Sequence, residues 1–327
     1  MAIASEALEI LGWQAAAKVP PSQSLVCLGV QFELAELVSK GKLTLSNTYK
    51  RLLAIDREIF EIISTDSLPP ARAGSLRGSL GFATAQCSGK AGRPALRALS
   101  SRQYAGPGHR ALDVPLTAAL EWFRHYVRAA RPRVLTVRPS EVPPVLIFSD
   151  AFEHGEGADR EVGICAILFR CGSQPLYCIA AVPETIIQHW LGDGRTKVIN
   201  QAEMLPAVVA RLTWHELLRG RMILHFIDSE SAKGALIRDY SPVMASAMLI
   251  GGAWLLDEQA KACSWYDRVP SSSNVADEGS HYDDRGYRRR GWKRSAAILP
   301  TMRQLVGGRF APPTWSDFSL GGSGLTR

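Results

Sequence analysis

The stretch "PVLIFSDAF", residues 144–152, decides the fold that we predict for this chain. An unbroken apolar run that ends in a serine and an aspartate is typical of a central strand, buried on both faces of a sheet. Two further runs, "EVGICAILFR" (161–170) and "PLYCIAAVP" (175–183), follow after short polar loops. The three runs predict successive neighbouring strands.

After these three strands, the sequence pattern predicts alternating helices and strands. A helix is predicted at 199–220, a strand at 221–228, two helical segments at 229–239 and 242–262, a strand at 262–270 and a short helix from Asn274. Three adjacent strands followed by this alternation are typical of an α/β fold with a mixed sheet. We therefore predict a mixed five-stranded sheet with flanking helices.

Charge divides the chain of 327 residues into three parts. Residues 1–140 hold 18 Lys+Arg against 10 Asp+Glu, a net +8; residues 141–284 hold 11 against 20, a net −9; residues 285–327 hold 9 against 1, a net +8. The first part is mostly helical in pattern after a short β element, and the proline-rich stretch 131–144 marks its end. We expect the third part to be a basic, flexible tail. Basic ends around an acidic centre suit a nucleic-acid enzyme that uses metal ions, or a solvated surface with a loose tail.

The bulk composition is that of a globular protein, with 46% hydrophobic and 21% charged residues. No run is long enough to cross a membrane, and the N-terminal stretch lacks the features of a secretory signal. We therefore expect an intracellular protein, in the cytoplasm or nucleus, without a membrane partner. The six cysteines show no metal-binding spacing and are interpreted as reduced thiols.

Four carboxylates stand at informative positions in this pattern. Asp150 and Asp228 end apolar strands, Glu203 lies in the first turn of the long helix, and Asp277 opens the last helix. Each has an ordinary alternative as a strand-end, helix-dipole or capping residue. If the four converge at one edge of the sheet, their repulsion requires cations, and hard Mg²⁺ prefers oxygen ligands. Two Mg²⁺ ions, with Mn²⁺ as an alternative, would fit such a site.

Four strings carry a family resemblance: "LIFSDAF", "INQAEML", "HFIDSESA" and "RVPSSSNVADEGS". In this order they resemble the ribonuclease H domain of retroelement reverse transcriptases, especially those of DIRS-type elements. The resemblance implies that Asp150, Glu203, Asp228 and Asp277 are the catalytic and metal-binding residues. It also implies that Asn200 touches the minor groove of the nucleic acid.

The resemblance extends upstream of residue 144. "GWQAAAKVPPSQSLVCLGVQFEL" (12–34) is similar to the end of a reverse-transcriptase palm, and the segments at 41–55 and 75–99 are similar to the thumb and connection that follow it. The paired aspartates of a polymerase are missing, and we interpret "HYDDR" (281–285) as a coincidence. The chain therefore resembles the C-terminal part of a larger polyprotein, whose polymerase portion would be its partner.

Several polar residues are candidates for contacts with nucleic acid. Lys50, Arg51 and Arg93 could hold backbone phosphates, although each could equally be a solvated charge. Asn274 is a further candidate for a contact with nucleic acid. By the family resemblance it also looks like a residue that fixes the loop before the last aspartate.

The function implied by the resemblance is metal-dependent, endonucleolytic hydrolysis of the RNA strand in RNA–DNA hybrids. Two alternatives stay open. One is a non-catalytic, nucleic-acid-binding remnant of a retroelement. The other is a different nuclease or strand-transferase with the same fold, because a fold alone does not choose a substrate.

Overall fold

The fold is known from a computed structural model that describes residues 23–88, 90, 92–129, 132–136, 142–192 and 194–307. Residues 12–22 of the palm-like stretch lie outside these residues, as does the end of the basic tail. In the part of the chain that is described, no helix is both long and apolar enough to span a bilayer.

The described residues of the first part form a small antiparallel sheet, in the order β1-β2-β3-β4, and four longer helices. Its elements are β1 (Ser24–Cys27), β2 (Val30–Glu33), α1 (Leu37–Lys40), β3 (Lys42–Asn47), α2 (Tyr49–Ser64), α3 (Pro70–Ser88), α4 (Arg93–Gln103), α5 (Val114–Arg128) and β4 (Arg133–Thr136). Strand β4 lies inside the proline-rich stretch that marks the predicted boundary, and it returns to pair with β3.

The helices of the first part have a core of their own. Apolar residues recur every three or four positions along α2, so Ile55, Ile59 and Ile62 face inward and are at most 5% exposed. They pack with Leu80 and Phe123, among other apolar residues of the neighbouring helices.

The second part contains a mixed six-stranded sheet in the order β10-β7-β6-β5-β8-β9. Its elements are β5 (Val145–His154), β6 (Glu161–Phe169), β7 (Leu176–Ala181), α6 (Glu184–Leu191), α7 (Ile199–Thr213), α8 (His215–Leu218), β8 (Met222–Ile227), α9 (Glu230–Arg238), α10 (Met244–Ala260), β9 (Cys263–Arg268), α11 (Asp277–Ser280), α12 (Arg285–Arg289), β10 (Lys293–Arg294) and α13 (Met302–Gly307). Strand β6 runs antiparallel to β5 and β7, while β8 and β9 run parallel to β5.

This sheet confirms the predicted α/β class with a mixed sheet and flanking helices. Helices α7 and α10 cover one face, where Val145, Ile147 and Ile223 are fully buried. The parallel ladder of β5 with β8 ends at Ser149 and Ile227, and two of the predicted carboxylates, Asp150 within β5 and Asp228 just after β8, directly follow that pair.

Two expectations about the end of the chain differ from the structure. The sheet has six strands rather than five, because the short β10 pairs in parallel with β7. The expectation of a flexible tail does not hold for residues 285–307, which form α12, β10 and α13. The segment is held in place because it buries apolar side chains. Tyr287 and Leu305 are at most 2% exposed and pack on opposite faces of the sheet.

The two parts touch through the start of α4 and the end of α9. The Arg93 guanidinium donates a hydrogen bond of 2.9 Å to the carbonyl of Arg238, and Arg97 donates one of 2.6 Å to the carbonyl of Ser241. Carbonyl groups at the end of a helix lack partners within the helix, so basic side chains from the first part satisfy them.

Candidate active site

Asp150 and Asp228 lie side by side because of the register between two parallel strands. The last pair in the ladder of β5 with β8 is Ser149 with Ile227, and each aspartate is the next residue. Side chains alternate between the faces of a strand, so both aspartates project to the face opposite Ser149 and Ile227. Apolar sequence builds the two strands, and their pairing places the two carboxylates together.

Glu203 joins this pair from helix α7, which packs across β5 and β6. One carboxylate oxygen each of Asp150, Glu203 and Asp228 lies within 4.8 Å of the other two. Three of the four predicted carboxylates therefore share one site, although 53 residues separate the first two in the sequence and 25 separate the last two.

The electrostatics of the cluster are unfavourable without a cation. Burial raises the pKa of Glu203 to about 9, and the charges of Asp150 and Asp228 add to the shift. Burial also raises the pKa of Asp150 to about 7; the charges of Asp228 and Asp277 raise it further, while a hydrogen bond from Ser280 opposes the change. Oε2 of Glu203 and Oδ1 of Asp228 are buried and have no hydrogen-bond partner among the described residues.

A divalent cation fits this donor set. All three ligands are carboxylate oxygens, which hard divalent ions such as Mg²⁺ and Mn²⁺ accept. A bound cation would supply partners for the two orphaned oxygens and would offset the repulsion that burial intensifies. Asp150, Glu203 and Asp228 are the residues that would hold it.

Asp277, the fourth predicted carboxylate, takes a different position. It opens helix α11, is exposed, and is not among the three carboxylates that lie within 4.8 Å of one another. Its charge still reaches Asp150, whose pKa it helps to raise. Asp277 is also an acidic residue in the first turn of α11, a position that favours negative charge.

Two buried residues from the segment around α11 hold the Asp150 carboxylate in place. The Ser280 hydroxyl lies 2.6 Å from one carboxylate oxygen of Asp150, and the Asn274 amide nitrogen lies 3.3 Å from the other. Asn274 also donates to the Ser149 carbonyl at 3.1 Å and accepts from the Ala276 backbone nitrogen at 3.2 Å. The predicted nucleic-acid-binding role of Asn274 is thus replaced by the loop-fixing one, since its amide is buried and occupied by protein.

Ser280 was not a predicted site residue. It is fully buried and lies three residues after Asp277, about one helical turn later. That spacing is the only signal in the sequence that could have indicated it.

The other predicted nucleic-acid contacts divide into two groups. Asn200 and Lys50 are exposed and available to a ligand. Arg51 instead donates to the Leu28 carbonyl and stacks over the Phe82 ring, with 4.7 Å between the guanidinium carbon and the ring centroid.

Arg93 likewise contacts protein, because it donates to the carbonyl of Arg238 and pairs with Asp239 at 3.6 Å. Arg51 and Arg93 therefore hold the protein together, and the expectation that they face phosphates is not met. Charge alone could not separate these two functions in the sequence.

A buried polar network supports the site from the helix-covered face of the sheet. The Ser149 hydroxyl lies 2.8 Å from Nε2 of His225, and Nδ1 of that ring lies 3.4 Å from the Arg211 guanidinium. Arg211 forms a two-pronged pair with Asp257 at 2.7 and 3.2 Å and also donates to Ser264 at 2.7 Å. Burial lowers the pKa of His225 well below its usual value, so the ring is neutral and links the network to the residue beside Asp150.

Comparisons with known proteins add the following findings. No protein-family model and no curated protein matches the sequence. Among solved structures, the N-terminal RNase H domain of Rv2228c from Mycobacterium tuberculosis is 17% identical, with a TM-score of 0.34 over 45% of this chain and 98% of that one. RNase H1 of Halobacterium salinarum is 13% identical, with a TM-score of 0.32 over 43% and 100%. LC9-RNase H1, a type 1 RNase H with the type 2 active-site motif, is 11% identical, with a TM-score of 0.30 over 50% and 80%.

The topology defines the class of the second part. An antiparallel three-stranded meander, β5 to β7, is extended on the β5 side by the parallel strands β8 and β9, with helices on the faces. This is the ribonuclease H-like fold, and its acidic cluster lies where the parallel pairing of β5 with β8 ends.

Proposed function

We propose that this protein is a divalent-metal-dependent nuclease that hydrolyses the RNA strand of RNA–DNA hybrids. The observation that carries the proposal is the convergence of Asp150, Glu203 and Asp228, with two buried oxygens that have no partner in the part of the chain that the structure describes. Carboxylates in a poorly hydrated site repel one another unless bound protons or a cation neutralise them, and a divalent cation also supplies partners for oxygens that lack them. The sequence motifs that resemble retroelement ribonucleases H support the choice of substrate.

Each residue of the site has a separate role in the proposed cleavage. Asp150, Glu203 and Asp228 bind the cations, which when bound lower the pKa of water and stabilise charge on phosphate oxygens. Ser280 and Asn274 keep the Asp150 carboxylate in one orientation. Asp277, exposed beside this cluster, is available as a further ligand. The water oxygen loses a proton and forms a bond to phosphorus, while the bond from phosphorus to the 3′ oxygen breaks and that oxygen gains a proton from solvent. The products are 3′-hydroxyl and 5′-phosphate ends.

We further propose that the chain is part of a retroelement reverse transcriptase, with the polymerase portion of the same polyprotein as its partner. The order of the four quoted motifs, and the palm-like and thumb-like segments before them, support this origin. Recognition of the hybrid would depend on groove shape and 2′-hydroxyls rather than on base sequence. Asn200, exposed one helical turn before Glu203, suits a contact in the minor groove.

Cleavage of a labelled hybrid by the purified protein tests the proposal directly. Wild type is expected to cut the RNA strand with Mg²⁺ or Mn²⁺ and not with EDTA. Asp228→Asn, which keeps the size of the side chain and removes its charge, is expected to lower the rate by at least about 100-fold. Glu156→Gln, the same type of change at an exposed carboxylate, should leave the rate unchanged.

The same assay separates the two alternatives. Hybrid binding without cleavage in either metal would favour a non-catalytic remnant. Faster cleavage of double-stranded DNA or RNA than of the hybrid would indicate another nuclease of this fold. If Asp228→Asn cut the hybrid at the wild-type rate, the assigned site would be wrong.

A further inference from the structure

The segment from Arg285 to Arg294 is the most basic in the chain. Six of its ten residues are Lys or Arg and none is acidic. It includes helix α12 and strand β10, and so it has a defined place in the fold.

Aromatic packing fixes this segment against the sheet. The buried Tyr287 hydroxyl donates to the Val275 carbonyl at 2.6 Å and accepts from the Gly279 nitrogen at 3.0 Å, which ties α12 to the segment that carries Asp277. The Trp292 ring stacks on Tyr287 with 5.1 Å between centroids. The backbone that carries the basic side chains is therefore held in place by buried aromatic contacts.

The segment lies on the face of the sheet that carries the carboxylates. A chain of ring contacts runs from Trp292 to Phe169, then to Phe148 and Phe226, with centroids 5.2, 5.7 and 4.9 Å apart. Phe148 precedes Asp150 by two positions, and Phe226 precedes the other strand-end aspartate by two, so each ring shares a face with its carboxylate.

Helix α12 also approaches the fourth predicted carboxylate. A Cβ atom placed on Gly286 would lie 2.6 Å from a carboxylate oxygen of Glu278, the residue next to Asp277. The basic segment thus begins beside α11, the helix that carries Asp277.

The charges in this segment fall into two sets. Arg285 pairs with Asp283 at 2.6 Å, while Arg288 and Arg294 pair with Asp284 at 2.9 and 3.7 Å. These three cations neutralise acids that would otherwise repel an anionic ligand.

The remaining three, Arg289, Arg290 and Lys293, are exposed and form no ion pair within the described residues. Arg290 packs over Trp292, with 5.5 Å between the guanidinium carbon and the ring centroid. These unpaired basic side chains lie next to an acidic site that needs metal ions. The combination suits a ligand with regularly spaced phosphates, one bound at the metals and its neighbours at the basic side chains.

We propose that Arg289, Arg290 and Lys293 form a phosphate-binding surface that holds the backbone of a nucleic-acid duplex beside the carboxylate cluster. This inference deepens the proposed nuclease function and rests on it for the identity of the polyanion. It assigns backbone contact to the end of the chain, in place of Arg51 and Arg93.

Binding of a fluorescein-labelled 20-base-pair RNA–DNA hybrid, followed by anisotropy in EDTA over a series of salt concentrations, tests the surface without cleavage. The variant is Arg289→Gln/Lys293→Gln, two side chains without described packing partners. Its control is Arg219→Gln/Lys261→Gln, which removes the same number of exposed positive charges at the amino ends of β8 and β9, opposite the site; Arg219 pairs there with Glu216 at 2.9 Å.

We expect the variant to bind about 10-fold or more weakly at 0.1 M salt, with the slope of log affinity against log salt reduced by about two, because each lost phosphate contact contributes roughly one. The control should keep the wild-type slope, and both variants should unfold at the wild-type temperature. Equal slopes for wild type and variant, or equal losses in variant and control, would overturn the proposal.

Two further arms identify the ligand and separate the two proposals. The first compares the affinity of wild type and variant for a polyglutamate peptide. If the variant loses more affinity for this peptide than for the hybrid, the surface binds an acidic protein and the nucleic-acid assignment is overturned. Hybrid binding that needs these residues in a protein that never cleaves would support the surface while refuting the nuclease function. If wild type cleaves the hybrid and the variant binds it as tightly as wild type, the nuclease function is supported and the proposed surface is refuted.

Discussion

Replacing Glu203 by glutamine should stabilise the metal-free protein at alkaline pH and leave its stability nearly unchanged at acidic pH. Burial raises the pKa of Glu203 to about 9 in the folded state, against 4.5 for the free group. Between these values the folded protein holds a proton that the unfolded chain has lost. Stability therefore falls as pH rises through this window and is unaffected below it. Glutamine has no proton to lose and avoids this penalty.

The size of the effect follows from the width of the window. Each pH unit between the two pKa values costs about 1.4 kcal/mol, so three units from pH 5 to pH 8 correspond to about 4 kcal/mol. Local water entry and rearrangement of the coupled carboxylates reduce this to about 2–4 kcal/mol. The free energy of unfolding of wild type should therefore fall by that much more than that of Glu203→Gln between the two pH values.

Urea unfolding in EDTA at pH 5 and pH 8, for wild type, Glu203→Gln and the exposed control Glu156→Gln, measures this difference. Added Mg²⁺ at pH 8 should raise the stability of wild type far more than that of Glu203→Gln, because the cation replaces the proton. Parallel pH dependence in wild type and both variants would refute the conclusion that Glu203 is buried in a repulsive cluster.

Two further predictions concern the residues around the cluster. Ser280→Ala removes the hydroxyl that holds Asp150, and we expect Mg²⁺ half-saturation of cleavage to rise about 10- to 100-fold while the rate at saturating metal largely recovers; an unchanged half-saturation would show that Ser280 does not orient the ligand. Arg211→Met leaves Asp257 buried without its partner and should lower the free energy of unfolding by about 3–5 kcal/mol in urea titrations. A double variant that also replaces Asp257 by leucine should recover part of that loss, and equal stabilities of the single and double variants would contradict a coupled pair.

The strand positions of two site residues could be predicted because they follow from local pattern. Apolar runs that end at Asp150 and Asp228 form neighbouring parallel strands, and parallel strands bring their carboxyl ends to one edge. Glu203 in an early helical turn completed the set. Hydrophobic periodicity carries this information in any sequence of the same pattern.

The roles of polar and basic side chains could not be predicted in the same way. Arg93 and Arg289 look alike in the sequence, yet the first donates to a helix end in the other part of the chain and the second faces solvent. Ser280 is an unremarkable serine until packing places its hydroxyl against a carboxylate 130 positions earlier. Tail residues 285–307 carry many charges, and their docking depends on a few apolar side chains.

The sequence by itself determined the order of strands and helices, the mixed α/β class and the carboxylates at the strand ends, because burial of apolar side chains sets local periodicity and direction. Only the tertiary structure decided that three carboxylates share one site while Asp277 stays exposed beside it, and which basic residues are free for a ligand. Those outcomes depend on distances and desolvation between groups far apart in the chain, and such pairwise energies leave no trace in local pattern.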